Sequence, residues 1–405
     1  MSNNKINKNL KILYNTYDIP ELDIYLNNQI TTFDEISNNI IKYYISFGPT
    51  FKYTPLYING SIKDNYVNTN KFFKHYIKNN IPIHSLSLKN CLVDEKTYIL
   101  ISKLISLISL DVSSNCFPRY VKYLNSLKKL NTLKINNNSI NYKNVLDFSH
   151  LTNLTSLIIN NNRLGKGIII LTEKLLNLTE LNVNFNQIEI DCVKAITKKL
   201  KKLIILDIGQ NFIQNEGVLL IFDNLKKLKK LNIENNYINN LCIYDLLSKI
   251  QLDNLYINNN SIIITNIKNN DIFKLKELNI DNTFINYQHI IYISHNFINL
   301  LYLSISCNMI KEKILYIENM VNLEYLDISF NFISDKHLVY LEKLIKLKKL
   351  LLNNNNIYNI INLLTKLLNL NFLNVSWNNI NKDDLKYIQN NYKNIDIIKM
   401  DTIIY

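Results

Sequence analysis

The sequence predicts an α/β solenoid: a curved horseshoe with a parallel sheet on its concave face and mostly helices on its convex face. Three observations predict it. An apolar frame recurs every 23–25 residues from Ile83 onward. An asparagine stands at one fixed place in that frame. Glycine and proline number only 6 and 5 in 405 residues, so varied tight turns do not shape this chain. That length would suggest two or three ordinary domains, but a stacked repeat escapes the prior.

The frame is legible in "LKKLNIENNYI" from Leu228, "LTELNVNFNQI" from Leu178, "LEYLDISFNFI" from Leu323 and "LNFLNVSWNNI" from Leu370. Positions 1, 4, 6 and 11 are apolar and position 9 is Asn. Units begin at Ile83, Leu107, Leu130, Leu154, Leu178, Leu203, Leu228, Leu252, Leu275, Leu300, Leu323, Leu347 and Leu370, and a half-unit follows from Ile395. Positions 4 and 6 are two apart, so both point the same way from a short strand. Position 11 turns back under them.

The Asn at 9 leaves the strand where backbone groups lose their partners. Its amide both donates and accepts, so a stack of such residues, an asparagine ladder, satisfies those groups from repeat to repeat. The column runs Asn115, Asn138, Asn162, Asn186, Asn211, Asn236, Asn260, Thr283, Asn308, Asn331, Asn355, Asn378, with Cys91 in the first unit. "LKKLNIENNYINN" at Leu228–Asn240 carries five asparagines. Only Asn236 is expected to be structural. The other four read as surface residues, in a chain whose Ile, Asn, Lys and Tyr usage suggests AT-rich codons.

The remaining half of each unit is the outer face. "NEGVLLIFDNLKKL" and "SDKHLVYLEKLIKL" carry leucines at helical spacing, and Ser334 and Asp335 suit a helix start. "NIYNIINLLTKLLNL" is expected to be looser.

This pattern resembles the leucine-rich repeat family, whose motif is LxxLxLxxNxL. Thirteen in-register copies span residues 83–405, about four-fifths of the chain. The outer halves resemble the ribonuclease-inhibitor-like or cysteine-containing classes, and a cysteine at position 9, as at Cys91, occurs in the latter. The composition is similar to that of AT-biased proteins of protists and large DNA viruses. The resemblance implies a non-enzymatic scaffold that grips a partner protein on its concave face, in the cytoplasm, or in the host cytoplasm for a viral protein. A monomer is expected.

Residues 1–82 do not fit the frame. They read as an N-terminal cap over the open end of the core. "DEISNNIIKYYISF" from Asp34 reads as an amphipathic helix, and "YTPLYINGSIKDNYV" from Tyr53 is a faint echo of the repeat. The alternative is a helical adaptor module, since "DIPELDIYLNN" weakly resembles the start of an F-box. That would make the chain a substrate receptor of a ubiquitin ligase.

The outward positions of the strand face are 3, 5, 7, 8 and 10. In the C-terminal repeats they collect Tyr302, Tyr325, Phe330, Phe372 and Trp377, with Asp327 among them. Clustered exposed aromatics are what protein interfaces use as anchors. The bland alternative is that several tuck against their neighbours. The formal charge is +13, yet this face is neutral to slightly acidic. Much of the charge lies in "KKLKKL" and "LKKLKKL", which place Lys198, Lys199, Lys201, Lys202, Lys226, Lys227, Lys229 and Lys230 on one expected rim. Such a rim suits an acidic protein, nucleic acid or anionic membrane. The bland reading is a solvated edge, and lysine without arginine recognises phosphate weakly.

No HExxH, no GxSxG and no Cys/His ligand spacing is present, and "GKG" at Gly165–Gly167 lacks the rest of a phosphate loop. The expectation is therefore no enzyme activity, no cofactor, no metal and no small-molecule substrate. Five scattered cysteines fit a reducing compartment. The first twenty residues lack an apolar secretion core, and no run of about 18 apolar residues predicts a spanning helix.

Overall fold

The structure is a computed structural model. It describes residues 10–14, 20–25, 55–59, 73–74 and 76–80, and residues 82–398 apart from 92, 116–117, 240, 243–250, 264–273, 286, 309 and 311–315. The chain falls into two compact units, Met1–Leu203 and Ile204–Tyr405.

In the first unit β1 (Leu10–Tyr14) and β2 (Pro20–Tyr25) pair antiparallel. From β2 on, the pairing is parallel: β3 (Pro55–Asn59), β4 (Ser85–Ser87), β5 (Ser109–Asp111), β6 (Thr132–Lys134), β7 (Ser156–Ile158) and β8 (Glu180–Asn182) follow in chain order. The echo at Tyr53 is a strand of this sheet, with Leu56 opposite Leu86. The helix expected from Asp34 lies outside the described residues.

The second unit contains β9 (Ile205–Asp207), β10 (Lys230–Asn232), β11 (Leu241–Cys242), β12 (Asn254–Tyr256), β13 (Ile262–Ile263), β14 (Glu277–Asn279), β15 (Tyr302–Ser304), β16 (Tyr325–Asp327), β17 (Lys349–Leu351), β18 (Phe372–Asn374) and β19 (Asp396–Ile398). All are parallel, and β11 and β13 form a small pair of their own. Each register sets like position against like, as Leu326 against Leu303 and Leu350. The fold is an α/β leucine-rich repeat solenoid. At its last strand Ile397 stands opposite Leu373, so the closing frame starts one residue earlier than Ile395.

The frame positions form the core. Leu228, Leu231, Ile233 and Ile238 are each at most 1% exposed. Burying one such side chain contributes about 1.5–3 kcal/mol. The position-9 asparagines are buried beside them. Asn162 Oδ1 accepts from the backbone N–H of Asn138 at 3.0 Å and of Ile140 at 2.9 Å, one repeat back. Its Nδ2 donates to Ile135 O and Ile159 O at 3.1 and 2.9 Å. Asn260 and Asn331 bridge their neighbours in the same way.

Asn235 and Asn239 are exposed, as expected, but the other asparagines also serve the turns. In "LKKLNIENNYINN", Asn232 Oδ1 accepts from Glu234 N–H at 3.0 Å and tightens the turn after the strand. Asn235 holds a left-handed φ of 46°, which Asn tolerates well. Asn239 exchanges two bonds with Asn215. Asn240 lies outside the described residues. A further column just before position 1, including Asn153, Asn177, Asn322 and Asn369, donates to a carbonyl of the previous repeat. Short amides recur because the turns need them, whatever the codon bias adds.

The outer halves are helical to differing degrees. Gln214–Asn224 and Ile190–Lys199 are full helices. "SDKHLVYLEKL" gives only Asp335–Leu338 and then a 3₁₀ turn, although Ser334 does cap it, donating its N–H to His337 Nδ1 at 2.9 Å. The stretch expected to be looser holds one short helix, Ile361–Leu364. The "GKG" stretch is a packing device. Gly165 takes a left-handed φ of 46°, and a Cβ on Gly167 would lie 2.8 Å from Tyr142 Cα.

Candidate binding face

Alternation along each strand turns positions 3 and 5 away from the core. In the second unit this places Tyr302, Tyr325 and Phe372 at position 3 and Asp327 at position 5. The β15–β16 register sets Tyr302 opposite Tyr325. Their rings stack with centroids 4.1 Å apart and planes 13° apart. Both are half-buried, so tyrosine does tuck against tyrosine here, as the bland reading allowed. Phe372 lies two strands beyond, about 10 Å away. Lys349 stands between, its Nζ 5.9 Å from the Phe372 ring centroid.

Phe330 and Trp377 belong to a different row, in the turn after the strand. They are 48% and 41% exposed and take left-handed φ values of 56° and 58°. The same place in other repeats holds mostly asparagine, as at Asn137, Asn161, Asn259, Asn282 and Asn354, and also Ser114, Phe185, Gln210 and Cys307, all left-handed. Asparagine is at ease there; a bulky aromatic is an outlier. Tyr237, Phe284 and Phe332, two residues further along their turns, are left-handed and exposed as well. The six predicted residues thus form a face group and an edge group.

Asp327 Oδ1 accepts from Ser329 N–H at 2.9 Å. Asn279 and Asn374 make the same bond in their repeats, so the turn needs the oxygen and not the charge. Burial pushes the Asp327 carboxyl above the usual range, against the pull of its bonds from Ser329.

Asp281, at position 7 of its repeat and outside the residues selected from the sequence, is its near neighbour. It accepts from Ser304 Oγ at 2.7 and 2.8 Å and from Ser306 N–H at 2.6 Å. Burial raises it too, and the charge on Asp327 adds to the rise, while the serine bonds oppose it. Burial first also pushes up the Tyr302 and Tyr325 phenols. Glu277 accepts the Tyr256 hydroxyl, and Lys230 Nζ sits 5.2 Å from the Tyr256 ring centroid. Asp281 and Asp327 are 46 residues apart in sequence; only the strand register, which puts Ser304 beside Asp327, brings them together.

The eight lysines are distributed between the units. In the first, Lys199 Nζ pairs with Glu173 at 2.7 Å and Lys202 Nζ donates to Asn177 at 2.7 Å, while Lys198 and Lys201 are exposed. In the second, Lys226 and Lys229 donate to the carbonyls of Phe222 and Gln251, and Lys227 and Lys230 are exposed. Among the described residues, no three His, Cys, Asp or Glu side chains are grouped to hold a metal ion. No helix among them is long and apolar enough to cross a membrane.

No family model matches the chain, and no curated protein matches it by sequence. Among solved structures it is similar to an internalin (InlF) from Listeria monocytogenes, at 20% identity over 93% of this chain and 99% of that one, with a TM-score of 0.47. A leucine-rich repeat protein of Leptospira interrogans is similar at 20% identity over 80% and 98%, with a TM-score of 0.47. The receptor of a TLR13–ssRNA13 complex is similar at 21% identity over 78% and 50%, again with a TM-score of 0.47.

Proposed function

We propose that the protein is a non-enzymatic interaction scaffold that binds a partner protein through the outward strand face and turn edge of its second unit. One observation carries this reading. Phe330 and Trp377 are large, about half exposed and held in a left-handed backbone that asparagine fills in most other repeats; Phe185 does the same in the first unit, with no aromatic stack beside it among the described residues. That backbone favours asparagine over an aromatic, and the exposed part of each ring offers a partner an anchor. The Tyr302–Tyr325 stack and Phe372 give that anchor a broad neighbour. The free thiols Cys192 and Cys307 favour the cytoplasm, a host's for a viral protein. A ubiquitin-ligase receptor would need residues 1–82 as a helical adaptor; the strands β1, β2 and β3 there favour a cap.

The test is partner capture followed by calorimetry, with wild type set against Tyr325→Ala/Trp377→Ala whose circular dichroism is unchanged. Loss of two anchors is expected to weaken binding at least about tenfold. Equal affinity would move the site elsewhere, first to the exposed lysines or to residues 1–82.

A further inference from the structure

The half-buried carboxylates at the centre of the second unit's strand face carry a more specific reading. Among the described residues, neither Asp281 nor Asp327 has a cation within ion-pair distance. The bonds they accept come from neutral serine groups. A carboxylate withdrawn from water without a counter-charge is costly, and the usual compensation is a cation. The turn bond of Asp327 is made equally well by asparagine in two other repeats, so the fold does not account for its charge. The Tyr302–Tyr325 stack stands beside these carboxylates, two positions back along strand β16 from Asp327. The charge of the surroundings points the same way. The chain as a whole carries +13, yet this unit's face presents Glu234, Glu277, Asp281 and Asp327 against Lys230 and Lys349. Lys349 is turned toward Phe372.

We propose that this face seats an arginine-bearing segment of a protein partner, with a guanidinium placed between Asp281 and Asp327 and flanked by the Tyr302–Tyr325 stack. Arginine fits better than lysine. Its planar fork bonds carboxylates in pairs, and its flat, weakly hydrated faces pack against aromatic rings. A nucleic acid is the wrong partner for this place, since its phosphates would meet carboxylates. The proposal deepens the scaffold reading and rests on it for the location of the site.

The probe is an acetylated nine-residue peptide of glycine and serine with three arginines, compared with its citrulline analogue. Citrulline keeps the shape and removes the charge. Binding is followed by Trp377 and tyrosine fluorescence at moderate salt. The arginine peptide is expected to bind at least about tenfold tighter than the citrulline peptide, and Asp281→Asn/Asp327→Asn is expected to erase that difference. Asparagine keeps one acceptor oxygen at each position, the one that the Ser306 and Ser329 N–H groups need, so this variant retains its turns; its melting temperature is expected to equal or exceed that of wild type, because the desolvated charges are gone. Equal affinity for the two peptides, no binding of either, or undiminished binding by the double variant would overturn the proposal. A protein partner that needs Tyr325 and Trp377 but binds Asp281→Asn/Asp327→Asn unchanged would remove the arginine site and leave the scaffold standing.

Discussion

Asn236 shows what one side chain does in this array. It is fully buried, and its Nδ2 donates to Ile208 O at 3.0 Å and Glu234 O at 2.9 Å while its Oδ1 accepts from Ile213 N–H at 3.3 Å. Alanine there would strand buried groups in two repeats at once. Asn236→Ala is expected to cost about 1–3 kcal/mol in equilibrium unfolding. A loss under half a kcal/mol would mean that water replaces the amide. Phe284 is the opposite case. It is 76% exposed at φ 60°, so it gains little from burial and bears left-handed strain. Phe284→Asn is expected to stabilise the protein by up to about 1 kcal/mol, seen as a raised melting temperature. A fall instead would show that the ring supports its turn. The two predictions separate residues that the fold requires from residues that it tolerates.

At the scale of one repeat, the weakest link is Thr283. Its Oγ1 donates to Ile280 O at 2.6 Å, and its N–H donates to Asn308 Oδ1 at 3.0 Å. It lacks the amide oxygen that elsewhere accepts two N–H groups of the preceding repeat, as Asn260 does for Asn236 and Ile238. Threonine and asparagine have nearly the same volume, so Thr283→Asn is expected to add about 1 kcal/mol; a destabilised variant would show that the site had repacked around the methyl group. The helix Tyr287–Asn296 carries a pH response. Burial holds His289 neutral by lowering its pKa from 6.5. The unfolded chain takes up that proton first. The contribution is therefore full above pH 6.5 and is lost as pH falls from there through the lowered folded value. His289→Gln is expected to flatten the dependence of melting temperature on pH between about 7 and 5; an unchanged slope would assign it to another group. These elements also show what the sequence could reveal. Strands, frame and buried column were readable because each repeats thirteen times, so errors in one unit are outvoted by the rest. Helix lengths were not, because leucine spacing sets which face is buried but not how far the hydrogen bonding runs, and Asp335–Leu338 stops after one turn. The pairing of Asp281 with Asp327 was hidden for a related reason: it depends on a side chain reaching across strands to Ser304 and Ser306, which no count of positions reveals.

The whole molecule is a chain of such units, and its energetics should follow its geometry. In a repeat array each unit touches only its neighbours, so stability is a sum of unit terms and nearest-neighbour terms. The asparagine column makes this testable within the second unit. Asn331 N–H donates to Asn355 Oδ1 at 3.1 Å, and so does Ile333 N–H at 2.8 Å. Removing Asn355 therefore damages the surroundings of Asn331 directly. Asn236 and Asn355 share no partner and lie five strand spacings apart, about 24 Å. Asn331→Ala and Asn355→Ala are expected to couple by at least about 0.5 kcal/mol, whereas Asn236→Ala and Asn355→Ala should add to within about that amount. Double-mutant cycles in urea measure both pairs on the same scale. Equal coupling in the two pairs would mean that strain travels the length of the unit, and the strand face would then answer a partner as one body. Coupling confined to neighbours would mean that each repeat's outward residues can change without disturbing the rest, which is the condition under which aromatics such as Phe330 and Trp377 can occupy positions where the backbone favours asparagine.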